Sequence, residues 1–240
     1  MPLSLTSISR PIPLNLSFAL RKRSQRKSSR QQIFFPSGYS ASARSQALNS
    51  ALAKLRQSMP PSAAITYLNL SFPEITFADN DDDDDDDSSQ DDRPESDLLT
   101  PDILDLWRTA SKATGIYNVQ HLGVSEFSAA RLHALIKFAD KSGCVKPAVN
   151  QINIRDCCVL PPSLVNLAKS HGVKLLTHND NFNILPVDNV PEFVSLVGSA
   201  AADSPAEWAW NWLIKITTVV ADRGVVYGQG WMVEFAEAAK

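Results

Sequence analysis

The chain has 240 residues, of which 44% are hydrophobic and 20% charged, and its formal net charge is −3. This length suits one (β/α) barrel or two small domains. The charge is segregated: residues 1–73 hold ten Lys and Arg and no acid, residues 74–105 hold fifteen acids and one base, and the rest is nearly neutral. This distribution argues against a uniformly basic nucleic-acid-binding protein. The lack of an 18-residue apolar run argues against a membrane-spanning helix.

Residues 1–30 form a predicted disordered basic tail, and residues 31–240 form the predicted folded domain. The tail ends in a run of Arg, Lys, Ser and Gln at 21–30, which is too polar to bury. A basic, Ser-rich, acid-free N-terminus is also typical of an organelle transit peptide, or of a nuclear or nucleic-acid-binding patch. An N-terminus wrongly included in the gene would give the same pattern.

The first half of the domain predicts a strand at 31–35, a helix at 43–57 and a strand at 64–71. The helix has apolar residues at helical spacing from Ala47 to Leu55, and Pro73 follows the second strand. Residues 79–97 then form a low-complexity acidic segment with seven consecutive aspartates, Asp81 to Asp87. We expect a solvated, disordered insertion, because unpaired aspartates repel one another and resist burial. A divalent-cation site is the alternative, although the segment lacks the alternating ligands and glycine of a calcium loop.

The second half predicts strands that alternate with helices. A helix begins at Thr100-Pro101, which supply an N-cap and a proline at the first helical position. Next come a strand at 119–125, a helix at 128–141, a strand at 148–153, a helix from 162 to 170 and a strand at 173–177. A helix at about 206–222 and a last strand at 224–227 end the series. Such alternation predicts a parallel sheet.

Two segments resemble the aldo-keto reductase superfamily. They are His121-Leu-Gly-Val-Ser-Glu-Phe127, which is similar to its Gly-Val-Ser-Asn-Phe turn, and Lys146-Pro-Ala-Val-Asn-Gln151, which is similar to its Pro-Xaa-Val-Asn-Gln strand. A longer match, residues 150–164 followed by 175–180, resembles the regulatory (modifier) subunits of glutamate–cysteine ligase. The resemblance implies an α/β fold, an incomplete aldo-keto-reductase-like (β/α) TIM-type barrel without recognisable counterparts of the first strands. It also implies a non-catalytic cytoplasmic protein that binds the catalytic subunit of the ligase as a heterodimer in glutathione biosynthesis, with no nucleic acid or membrane as partner.

The reductase chemistry of the superfamily needs a tyrosine acid with a lysine, an aspartate and a histidine nearby, at the C-terminal ends of early strands. Here the first tyrosine is Tyr39 and the first aspartate is Asp79. The lysine position falls near Ser37 or Gly38, and the histidine position falls at Ser71. On this alignment all four catalytic groups are absent, so we expect no catalytic residues and no enzyme activity. The alternative function is an NADP-dependent oxidoreductase of the aldo-keto reductase type.

Cofactor binding is also expected to be lost. Ser125 and Gln151 match residues that hold the nicotinamide amide in the reductases, but Glu126 replaces an asparagine. Gly228 and Gly230 follow the last predicted strand without the lysine that meets the 2′-phosphate. Either a residual dinucleotide pocket persists, or Ser125 and Gln151 hydrogen-bond within the barrel rim. We expect no cofactor.

The candidate partner-binding residues follow two predicted strands: Cys157, Cys158, Val159, Leu160, His178 and Asp180. Prolines stiffen the first of these loops, so that it loses little entropy on docking. Shaping of the barrel rim is the other explanation for this loop. The adjacent cysteines are either redox-active or ordinary buried residues, and a zinc site with His178 lacks Cys-Xaa-Xaa-Cys spacing. Trp208, Trp210 and Trp212 would point to different faces of the last predicted helix, so that at least one would be exposed.

Overall fold

The computed structural model describes residues 27–77, 98–155, 159–181, 184–196, 208–220 and 225–237. The parallel part comprises, in chain order, β1 (Lys27–Phe34), α1 (Ala41–Ser58), β2 (Ile65–Ser71), α2 (Pro101–Tyr117), β3 (Val119–Ser125), α3 (Ala129–Ser142), β4 (Val149–Asn153), α4 (Pro162–His171) and β5 (Lys174–His178). A 3₁₀ turn (Val187–Asn189), α5 (Val190–Leu196), β6 (Trp208–Val220) and β7 (Val225–Glu237) follow.

The seven strands form one sheet in the order β5-β4-β3-β2-β1-β6-β7. Strands β1 to β5 are parallel neighbours in sequence order. Right-handed crossovers in that order bring every connecting helix to the same face of the sheet. The arrangement is therefore part of a (β/α) barrel, and the predicted α/β fold and parallel sheet are confirmed for this part of the chain.

Side chains that alternate along the strands give the sheet two different faces, one that packs against the helices in the apolar core and one concave face that carries polar groups. Ile33, Leu70 and Val124 point outward and join one buried cluster with residues of the four crossover helices, such as Leu52, Trp107, Leu135 and Leu164. The residues between them point the other way, into the concave side of the sheet. That side carries buried polar groups, and the site is built on it.

The sequence prediction is wrong for the last two elements. The predicted helix at 206–222 is strand β6, and the short final strand at 224–227 is the long strand β7. They form an antiparallel hairpin, and β6 pairs antiparallel with β1. Residues 214–220 are Ile-Lys-Ile-Thr-Thr-Val-Val, and this density of β-branched side chains favours a strand over a helix.

The tryptophans of β6 are placed differently from the helical expectation. A register shift between Trp210 and Trp212 marks a bulge, so that the two side chains leave opposite faces. Trp212 is buried in the main core, whereas Trp208 and Trp210 pack against a small second cluster around Leu213. Trp208 and Trp210 are only partly buried, and Trp231 on β7 is exposed, with an exposed fraction of 39%.

Strand β1 begins at Lys27, so residues 27–30 of the predicted basic tail belong to the sheet. Their backbone pairs with β6, and Arg30 also pairs with β2. The rest of that tail and the acidic segment 79–97 lie outside the described residues.

Candidate functional site

A cavity of about 280 Å³ lies at the C-terminal ends of the parallel strands. This is the end at which (β/α) barrels place their active sites. Its polar lining comprises Gln32, Ser37, Ser71, Thr76, Glu126, Asn153, His178 and Asn181; its apolar lining comprises Phe34, Phe35, Pro36, Phe72, Pro73, Ile75, Ile184, Leu185, Trp210 and Leu213. A small molecule with an apolar body and a hydrogen-bonding group would match this lining.

An amide network lies beneath the cavity. Gln32 Nε2 donates to Ser125 Oγ at 3.2 Å, Gln151 Nε2 donates to Gln32 Oε1 at 2.8 Å, and Asn69 Nδ2 donates to Gln151 Oε1 at 3.0 Å. All four side chains are buried. Ser125 and Gln151 match nicotinamide-binding residues of the reductases. Here Ser125 hydrogen-bonds to Gln32, and Gln151 hydrogen-bonds to Gln32 and Asn69, all within the barrel interior.

The glycine of the first motif makes room for this network. Gly123 pairs with Asn69 across β2 and β3. A Cβ at Gly123 would lie 2.5 Å from Asn69 Oδ1 and 2.7 Å from the carbonyl oxygen of Val149. Only glycine therefore allows the Asn69 amide to reach across to Gln151.

The two motifs also interlock at the turn after β3. Asn150 Nδ2 donates to the Phe127 carbonyl at 2.7 Å, and the Phe127 amide donates to Asn150 Oδ1 at 3.3 Å. The Glu126 amide donates to the Gln151 carbonyl at 3.0 Å. These bonds hold Glu126 at φ +65°, in the left-handed region that non-glycine residues seldom occupy.

Four ionisable side chains form the ion chain Glu126–His178–Asp180–Lys215, of which Glu126 and His178 line the cavity. His178 Nε2 is 2.9 Å from Glu126 Oε1, His178 Nδ1 is 3.1 Å from Asp180 Oδ2, and Lys215 Nζ donates to Asp180 Oδ1 at 2.6 Å. Glu126 also accepts from the Asn153 amide at 2.9 Å. These side chains are mostly buried, with exposed fractions of 12% for His178, 22% for Asp180 and 10% for Lys215.

The charges within the ion chain stabilise one another. Burial lowers the pKa of His178, but its hydrogen bonds to Asp180 and Glu126 outweigh that effect, so the pKa is raised above its usual value. The hydrogen bond from His178, aided by Lys215, lowers the pKa of Asp180 to about 2, against the opposing effect of burial. When His178 is protonated, the ion chain contains two carboxylates and two cations, so its net charge is zero.

This arrangement is suited to structure rather than to proton transfer. Both ring nitrogens of His178 are engaged by carboxylates, so the imidazole has no free nitrogen to face a substrate. Tyr39 lies elsewhere, where its hydroxyl donates to Asn211 Oδ1 at 2.9 Å. Burial, and then the charge of Glu234, raise the pKa of Tyr39, which makes it a weaker acid.

The predicted partner-binding residues divide into three groups. Cys157 and Cys158 lie outside the described residues. Val159 is 75% exposed, whereas Leu160 is partly buried against the main core. His178 and Asp180 belong to the ion chain and are mostly buried, and His178 lines the cavity.

Sequence reasoning missed the other two members of the ion chain. The sequence identifies Glu126 only as a charge that replaces an asparagine, and Lys215 lies in the segment predicted as a helix. A charged residue within a run of β-branched residues was the available signal for Lys215, because such a residue needs a buried partner. Within the described part of the chain, no three His, Cys, Asp or Glu side chains are arranged to hold a metal ion. No described helix has the length and apolar character needed to span a membrane.

Comparison with known proteins gives related sequences in two activity classes. A glutamate–cysteine ligase regulatory subunit from Homo sapiens is 30% identical over 128 residues, 53% of this chain and 44% of that protein. A putative regulatory subunit of the same ligase from Schizosaccharomyces pombe is 30% identical over 173 residues, 71% of this chain and 57% of that protein. A D-galacturonate reductase from Fragaria ananassa is 24% identical over 134 residues, 52% of this chain and 40% of that protein. The chain thus spans about half the length of the curated relatives it matches.

Solved structures that match include an aldo/keto reductase from Brucella melitensis, with a TM-score of 0.38 and 16% identity over 70% of this chain and 51% of that chain. An aldose reductase from Giardia lamblia has a TM-score of 0.38 and 20% identity over 57% of this chain and 42% of that chain. No family model matches the chain. By its sequence, as its motifs predict, the chain is related to the regulatory subunits of glutamate–cysteine ligase.

Proposed function

We propose that this protein is a non-catalytic regulatory subunit that binds the catalytic subunit of glutamate–cysteine ligase in the cytoplasm and adjusts γ-glutamylcysteine synthesis. The observation that carries the proposal is the similarity to proteins named as regulatory subunits of that ligase, at 30% identity over as many as 173 residues. Adjustment of an enzyme by a bound subunit requires that the subunit bind two states of the enzyme unequally.

The lining of the cavity supports a non-catalytic role. Ser37 and Ser71 line the cavity. The reductase alignment places the lysine near Ser37 or Gly38 and the histidine at Ser71. The described residues that line the cavity include no tyrosine or lysine, and their one histidine is held by two carboxylates. Among the described residues, a carbonyl group in this cavity would meet no proton donor of the reductase kind.

We further propose that the loop at residues 156–162, with Cys157 and Cys158, forms part of the surface that faces the catalytic subunit. Val159 supports this because it is exposed at the cavity end of the sheet. Leu160 contributes by anchoring the loop to the core. His178 and Asp180 act from beneath it, by holding the ends of β4 and β5 in place: Asn153 Nδ2 donates to the Asp180 carbonyl at 2.9 Å.

The test is a binding titration of the full chain with the purified ligase catalytic subunit, followed by size-exclusion chromatography and by ligase activity. We expect a heterodimer and a changed Michaelis constant of the ligase. Val159→Ser should weaken binding, and Ile116→Ser is the matched control, because Ile116 is 71% exposed near the opposite end of the sheet. No association would refute the regulatory proposal, and equal affinity of the two variants would remove the loop from the contact surface.

A reductase is the second candidate, because the relatives include D-galacturonate reductase. The purified chain should not oxidise NADPH in the presence of aldehydes or ketones. Turnover that survives stringent purification and is abolished by His178→Gln would favour the reductase over the regulatory subunit.

A further inference from the structure

A second polar cluster lies on the concave side of the sheet, toward the N-terminal ends of the strands and away from the cavity. It consists of Arg30 on β1, Tyr67 on β2, His121 on β3 and Lys174 on β5. Arg30 is paired with Tyr67, and Tyr67 with His121, at equivalent positions of neighbouring strands. Gln32, two residues after Arg30, points into the interior network, so Arg30 leaves the same face of the sheet.

Three side chains of this cluster, those of Tyr67, His121 and Lys174, are in contact. The rings of Tyr67 and His121 are stacked, with centroids 4.9 Å apart. Lys174 Nζ donates to the Tyr67 hydroxyl at 2.7 Å and lies 5.3 Å from the centre of its ring. His121 and Lys174 are exposed, whereas Arg30 and Tyr67 are partly buried.

The cluster presents hydrogen-bond donors but no opposing acceptor. The ion pairs of the described residues do not include Arg30, His121 or Lys174. Arg30 Nε is buried without a hydrogen-bond partner. The Tyr67 oxygen accepts from Lys174, which leaves the hydroxyl proton without an acceptor among the described residues.

A partly buried guanidinium without a counter-charge raises the free energy of the folded state, and a second cation nearby raises it further. Both costs fall if a multivalent anion lies between them, because Arg and Lys then form charge-assisted hydrogen bonds. Arg30, Lys174 and the Tyr67 hydroxyl all have donors to spare, and His121 adds a flat ring at the edge.

We propose that Arg30, Tyr67, His121 and Lys174 form a binding site for a small multivalent anion of the phosphate class. The site is separate from the cavity and does not depend on the function proposed for the whole protein. The stacked Tyr67 and His121 rings favour an organic phosphate that carries a planar group over inorganic phosphate, because such a group stacks on them.

The test is isothermal titration of the full chain with inorganic pyrophosphate at low and moderate salt. We expect binding that weakens as salt rises. Arg30→Gln and Lys174→Gln should each weaken it by about tenfold, the effect of losing one charge-assisted hydrogen bond. Lys169→Gln is the matched control, since Lys169 is an exposed lysine on α4, and its affinity should equal that of the wild type.

Circular dichroism checks that each variant is folded, and the exposed Lys174 keeps the test valid if Arg30→Gln does not fold. Equal affinity of the wild type and Lys174→Gln would overturn the proposal, as would equal losses in Lys174→Gln and Lys169→Gln. Binding of an acidic peptide without binding of pyrophosphate would also overturn it, because the surface would then serve a protein partner.

Discussion

Replacement of Lys215 by methionine tests whether the ion chain stabilises the fold. Lys215 Nζ is 2.6 Å from Asp180 Oδ1, and both side chains are largely buried. Methionine keeps most of the aliphatic length of lysine and removes the charge. The Asp180 carboxylate would then depend on His178 alone for compensation.

The magnitude follows from the pKa of Asp180, which is lowered from 3.8 to about 2. At about 1.36 kcal/mol per pKa unit this shift is worth about 2 kcal/mol before solvent screening, and His178 supplies its largest share. Losing one partner of a fully buried ion pair costs about 3–5 kcal/mol. Because His178 still compensates the Asp180 carboxylate and that carboxyl is partly exposed, we expect Lys215→Met to lower the free energy of unfolding by about 1–2 kcal/mol.

Urea denaturation at pH 7, followed by circular dichroism, measures this loss. Lys146→Met is the matched control, because the pair Lys146–Asp140 has a similar length of 2.7 Å but more than half of each side chain is exposed. That variant should lose less than about 1 kcal/mol. A depressed carboxyl pKa stabilises the fold above the unfolded value and loses that effect as pH falls through the folded value. The difference between wild type and Lys215→Met should therefore shrink from about pH 4 toward pH 2. If Lys215→Met and Lys146→Met lose the same amount at pH 7, the structural role of the ion chain is refuted.

Three further predictions concern other parts of the molecule. Because the pKa of His178 is raised, protonated His178 stabilises the folded state fully below pH 6.5, and this stabilisation is lost as pH rises through the pKa of the folded state. The urea midpoint of the wild type should therefore fall between pH 6 and pH 9. A fall of equal size in His178→Gln would contradict this prediction. Gly123→Ala should lower the free energy of unfolding by about 1–3 kcal/mol, because the added methyl group would clash with Asn69 and the Val149 carbonyl. Gly115→Ala is the control: its methyl group would meet nothing within 4 Å, so the same denaturation assay should show no measurable loss. Replacement of residues 79–97 by a short Gly-Ser linker should leave the melting temperature nearly unchanged, since aspartates resist burial. A decrease above about 5 °C, which corresponds to about 1–2 kcal/mol for a protein of this size, would show that the segment packs on the fold.

The parallel part of the fold was predictable because its signals are local. Each strand is a short run with β-forming residues, and each helix has apolar residues three and four positions apart. The boundaries of β3 match the predicted ones, and those of α1 differ by no more than two residues. The βα alternation then leaves few topologies, since parallel neighbours need crossovers of one hand.

The hairpin was not predictable in the same way. Trp208, Trp212 and Ile216 are four residues apart, which fits a helical face as well as a bulged strand. The bulge removes the simple alternation that identifies a strand. Pairing with β1 connects residues about 190 positions apart, and no local pattern specifies such a pairing. The ion chain was not predictable for the same reason, because Lys215 reaches Asp180 only when the hairpin lies against β1.

The contact between Lys215 and Asp180 also explains why the cavity exists. In the sheet order, β5 and β6 are separated by four strands, which at about 4.8 Å between neighbours puts them more than 20 Å apart if the sheet is flat. A lysine side chain is far too short to bridge that distance. The sheet must therefore curl until its two sides face each other, and the resulting concave space is the cavity, with His178 from β5 on one wall and Leu213 from β6 on the other. Lys215→Met thus removes a bond across the open side of the arc, and its effect on stability measures how much this bond holds the partial barrel in its curled form.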